Sequence, residues 1–108
     1  MFDNYLLNLS LEEKKELGFR YDVSMEDYVY EFPVYKSNKK VSLICKLCVD
    51  DETGKILLNV YDINGNLYPS FYNREYGKSK IVSIIDKNIE SKLKELIKKI
   101  KLIKKIKE

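Results

Sequence analysis

The chain predicts an α+β fold: a short N-terminal helix, a four- or five-stranded antiparallel meander, and a long amphipathic helix packed on one sheet face. Three observations carry this expectation. A capping-box pattern runs into a glycine near the N-terminus, Ser10 to Gly18. Apolar residues then alternate with a period of two from Tyr28 to Tyr72. Isoleucine and leucine finally recur at spacings of three and four through a lysine-rich end. A length of 108 residues suits one domain. Its predicted parts are a helical segment over 1–26, the sheet over 27–85 and the basic helix over 86–108.

The first helix is expected over Ser10–Leu17. The Ser10 hydroxyl can accept from the Glu13 amide while the Glu13 carboxylate reaches back, and Gly18 suits the left-handed stop. Its acids sit near the positive end of the helix dipole. The first strand places Tyr28, Tyr30, Phe32 and Val34 on one face. The second places Val41, Leu43, Cys45, Leu47 and Val49 together, and the third Ile56, Leu58 and Val60. A weaker fourth strand is expected over Leu67–Tyr72, at an edge because Pro69 cannot donate to a ladder. The links are short, and Asn64-Gly65 tolerates the positive φ that tight hairpins require. Short links favour antiparallel pairing.

Ile81–Ile85 fits either a fifth strand or the opening of the last helix. The β-branched residues favour the strand, with Asp86 or Asn88 capping a helix that follows. In that helix Ile89, Leu93, Leu96, Ile100 and Ile103 form the apolar stripe, widened by Ile97, Leu102 and Ile106. A stripe this wide packs on a sheet of its own chain. A dimer seam through this helix is the competing use, short of the heptads a coiled coil needs.

Charge is unevenly spread. The formal net charge is +3, yet residues 1–35 hold eight acids against three bases, and residues 86–108 hold nine lysines against four acids. Such asymmetry either steers a partner or is neutralised where the two ends meet. No apolar run is long enough for a membrane span, and the opening MFDNYLLNLS lacks the basic start of a secretory leader. A cytoplasmic chain with no membrane partner is the expectation.

Little in the chain points to catalysis. Histidine, the side chain that titrates near neutral pH unaided, is absent. Cys45 and Cys48 have C-x-x-C spacing, but on a strand their side chains point to opposite faces and no further cysteine or histidine completes a metal site. Two buried small side chains are expected, with no metal and no cofactor. The acids at 50–52 fall in a hairpin loop without the ligand pattern of a calcium loop. No phosphate-cradling glycine loop or nucleophile elbow is present.

Alternation puts Tyr35, Lys46, Tyr61, Tyr68 and Tyr72 on the sheet face away from the core. Aromatics beside lysine suit either a protein interface or a base-stacking surface. The segment 72–80 adds Arg74 and Tyr76 in a polar loop. Partner contact is therefore expected at Tyr61, Tyr68, Tyr72, Arg74, Tyr76 and Lys46. Alanine, glutamine, histidine and tryptophan are missing while lysine, isoleucine, tyrosine and asparagine abound. In size and alphabet the chain resembles small accessory proteins of phages or mobile elements in AT-rich bacteria. The expected function is a non-catalytic protein that occupies a macromolecular surface, such as an inhibitor of a host defence nuclease acting in the host cytoplasm. The alternative is a nucleic-acid binder using the tyrosine–lysine face and the basic helix.

Overall fold

A computed structural model describes residues 2, 4–73 and 79–107, the last without its side chain. Ser10 caps helix α1 (Leu11–Leu17), with both arms of the capping box in place. Gly18 closes it at φ 104°, a conformation that costs a residue with a Cβ. The chain then enters a four-stranded antiparallel sheet in the order β1 (Arg20–Asp22), β2 (Asp27–Ser37), β3 (Lys40–Val49), β4 (Ile56–Asp62). A single turn, α2 (Pro69–Tyr72), precedes the long α3 (Lys80–Lys107). The α+β expectation therefore holds, with the strands in simple meander order.

The core lies between one sheet face and α3. Phe32, Val34, Leu43, Cys45, Leu47, Val49 and Val60 enter it from the sheet, and Ile85, Ile89, Leu93, Leu96 and Ile100 from the helix. Those helix positions are spaced by three and four, so each turn presents an apolar side chain to the sheet. Leu17 and Phe19 also belong to it. At the far end of α3, Ile97 and Ile103 pack against the core, but Leu102 and Ile106 stand exposed and do not widen the stripe.

Three elements differ from expectation. Ile81–Ile85 is helix, not a strand. Ser79 caps α3, its hydroxyl accepting from the Val82 amide at 3.2 Å, so neither Asp86 nor Asn88 begins the helix. The spacing of Val82, Ile85 and Ile89, all buried, outweighs the β preference of the run. Asn88 instead donates to the Val34 carbonyl at 2.7 Å, joining α3 to β2. Leu67–Tyr72 is not a fourth strand either. Leu67 makes an isolated bridge to Tyr61, and Pro69 then starts the turn of α2, where its missing N–H costs nothing. The place of an extra strand is taken by β1, three residues whose pattern is too short to read.

The β4 edge is covered from both ends. Leu6 bridges Lys55, the Tyr68 amide donates to the Val60 carbonyl at 2.9 Å, and the Val60 amide donates to the Tyr72 hydroxyl at 3.0 Å. β1 pairs with β2 only over Asp27–Val29, and the stretch of β2 beyond it carries Pro33 and a register irregularity between Pro33 and Lys36. Both features discourage edge-to-edge pairing.

Candidate functional site

The sheet face opposite α3 is built from the other half of the alternation. Register places Glu31 beside Lys46 and Lys46 beside Asn59; Pro33, Ile44 and Tyr61 form the neighbouring row, and Cys48 pairs with Leu57. Lys46 is its centre. Its ammonium donates to Asp22 Oδ2 at 2.7 Å and lies 3.6 Å from Glu31 Oε1. In the order β1-β2-β3 this reach crosses the whole of β2, so the lysine acts as a strut tying β1 to β3. The same ammonium sits 5.2 Å from the centroid of the Tyr61 ring.

This strut fixes the local protonation states. The Lys46 hydrogen bond holds the Asp22 carboxyl well below its ordinary range, helped by donors from Ser24 Oγ and the Met25 amide. The bond to Asp22 in turn raises the Lys46 ammonium above its usual value. Both groups stay charged at neutral pH, and the lysine's charge is balanced by two acids.

Around the strut the face is apolar and partly open, with Cys48 buried. Leu57 is 56% exposed. A shallow hollow of ≈ 300 Å³ is lined by Glu31, Phe32, Pro33, Val41 and Ile44. A second hollow of ≈ 450 Å³ lies between β2 and α3, bordered by Asn88, Ser91, Lys92 and Glu95. Its two charged helix residues already pair at 3.1 Å.

The sequence-predicted contact residues divide. Lys46 and Tyr61 meet on the outer face. Tyr68 is half-buried and packs against the core, as does Tyr35, which alternation put on the same face without a contact role, so alternation misplaced both. The break at Pro69 and the irregularity in β2 explain the two errors. Tyr72 is exposed at its ring, but its hydroxyl is engaged: it accepts from the Val60 amide and donates to Asn59 Oδ1 at 3.1 Å. Burial of that hydroxyl raises its pKa. Arg74 and Tyr76 lie outside the described residues.

Cys45 and Cys48 do point to opposite faces and are unpaired. Burial pushes both thiols up, leaving them protonated and unreactive. Among the described residues no group of three or more histidine, cysteine or acidic side chains gathers to hold a metal. Among the described residues no helix is long and apolar enough to cross a membrane. Two residues escaped the sequence reading. Asp22 pairs with Lys46 across 24 positions of chain, a link invisible before the strand order is known. Lys14 is 2% exposed, and its place three residues before Leu17 on the inward side of α1 was the available signal.

No family model, curated protein or solved structure matches this chain.

Proposed function

We propose that this chain is a non-catalytic binding protein whose outer sheet face docks onto another protein. The observation that carries the reading is the neutralised centre of that face. Lys46 is committed to Asp22 and Glu31, so it offers no free charge to a phosphate. Asp22 and Glu31 would repel a nucleic-acid backbone. Tyr61 has its ring beside the Lys46 ammonium rather than in a row of stacked aromatics. These features oppose a base-stacking platform. They suit a protein partner, for which apolar anchors around a satisfied polar group give affinity and register. The partner surface implied is apolar and weakly charged, with a projection that enters the hollow beside Pro33 and Ile44. A stoichiometric inhibitor of a host defence nuclease, borne by a phage or mobile element, is the concrete form of this reading.

The test is affinity capture from the source cell followed by calorimetry on the purified partner. Leu57→Glu and Tyr61→Ala, both on the outer face, are compared with the intact chain. Central anchors of such interfaces cost about 2 kcal/mol or more when removed, roughly 30-fold in Kd. Unchanged affinity in both variants would reject the face as the docking site.

A further inference from the structure

The α3 lysines whose side chains are described sort into two groups. Lys92, Lys94 and Lys99 pair with glutamates of the same helix at 3.1–3.3 Å. Lys104 donates to the Asn8 carbonyl. Lys80, Lys87, Lys98, Lys101 and Lys105 are exposed, and among the described residues no ion pair holds any of the five. At 3.6 residues per turn, these five fall within a sector of about 60° on the side of α3 away from the sheet. Lys94 lies in the same sector, its charge offset by Glu90 at 3.3 Å. From Lys80 to Lys105 the row runs about 38 Å at 1.5 Å per residue.

We propose that this row is a second binding surface, distinct from the sheet face, that lies along the phosphate backbone of a nucleic-acid duplex. Apart from the Lys94–Glu90 pair, the charge of the row is of one sign, and it is set on a single helix. Its length matches about one duplex turn, roughly 34–36 Å. Lysine supplies point charges rather than the paired donors that read base edges, so binding is independent of base sequence. Residues 80–107 include no aromatic side chain, so the face has nothing on which an unpaired base can stack. A duplex fits this face better than a single strand. The sheet face and this row point to opposite sides of the molecule, so failure of either proposal leaves the other standing.

The row sets the expected salt dependence. Five neutralised phosphates give a slope of about −4.5 in log affinity against log salt, or about 500-fold weakening between about 50 and 200 mM. Affinity at physiological salt is expected in the ordinary non-specific range, roughly 10⁻⁴–10⁻⁶ M.

The experiment is fluorescence anisotropy of the full chain with a labelled DNA duplex of about two turns, titrated across that salt range. Changing all five lysines to glutamine preserves helix propensity. It is expected to weaken binding at least about 100-fold at the lowest salt and to flatten the slope. The same five changed to arginine retain both affinity and slope. Glutamine at Lys36, Lys39 and Lys40, in the β2–β3 hairpin, leaves affinity within about two-fold, since those charges lie outside the row. A single strand of equal length binds more weakly. Four results would overturn the proposal: no duplex binding at the lowest salt, a slope shallower than about −2, an equal loss from the hairpin variant, or tighter binding of the single strand. An acidic protein as the true partner would produce the first of these.

Discussion

Lys14 gives the sharpest test of how this scaffold is held together. It is almost wholly buried, and its ammonium donates to the Val49 carbonyl at 3.1 Å and to Asp51 Oδ1 at 2.6 Å. It thereby pins α1 to the β3–β4 hairpin. The buried stem and the charge make separable contributions. Lys14→Ala removes three methylenes beyond Cβ, worth about 0.8 kcal/mol each when buried. It also deprives the Val49 carbonyl of a donor, worth about 1 kcal/mol. The expected loss is about 3 kcal/mol. With an unfolding entropy near 2.1 cal/mol/K per residue, that lowers Tm by about 13 °C.

Lys14→Met keeps the apolar stem and releases the cost of burying an ammonium, so it should lose less than about 1.5 kcal/mol. Asp51 is 80% exposed, and Asp51→Asn should cost about 1 kcal/mol or less because water screens the pair. Urea melts of the three variants, read by far-ultraviolet circular dichroism, decide the matter. A Met variant as damaging as Ala, or an Asp51→Asn loss that matches Lys14→Ala, would make the charge rather than the stem the stabilising part.

Other positions give independent checks. The Asp22 carboxyl should titrate by NMR below its ordinary value near 3.8. Its contribution to stability is present above that value and is lost as pH falls through the depressed one. Lys46→Met should move the titration upward, and an unchanged midpoint would remove the strut. Gly54 has φ +75°, and a Cβ there would meet Asn8 Oδ1 at 2.6 Å and the Leu7 carbonyl at 3.3 Å. Gly54→Ala should therefore cost more than about 1 kcal/mol in a thermal melt, and a neutral result would show that the N-terminal strap yields freely. Of the described α3 stripe, Leu102 and Ile106 are the exposed large apolar residues left for a second copy, far short of the roughly 1,200–2,000 Å² of a stable interface. Sedimentation should show a monomer; a dimer abolished by Ile106→Glu would refute this.

The legible parts of the fold were those set by neighbours in sequence. Ser10 and Glu13 are three residues apart, and their reciprocal bonds follow from spacing alone. Alternation in β2, β3 and β4 placed Phe32, Cys45, Leu47 and Val60 in the core because every second residue must face the same side. Ile81–Ile85 was misjudged because local β preference competed with a helical period continued by residues farther along. Phe71, 2% exposed in α2, owes its burial to the turn begun at Pro69 rather than to strand alternation. The site was less legible than the fold. Lys46 could be assigned to the outer face, but its neutral surroundings depend on β1, whose three residues have no readable pattern.

That neutrality changes which surface each kind of partner fits. In the nucleic-acid alternative, the sheet tyrosines and the helix lysines were to serve one partner. The fold separates them, with the tyrosine and balanced lysine on one side of the core and the unpaired lysines on the other. If both proposals hold, Leu57→Glu should weaken protein docking by roughly 30-fold without changing the salt slope for DNA. The five-glutamine α3 variant should do the reverse. Combining them should give additive losses, because the two surfaces share no side chain and the packed core lies between them. A coupling well beyond about 0.5 kcal/mol would mean that one partner spans both faces, and the two-surface reading would give way to a single enveloping interface.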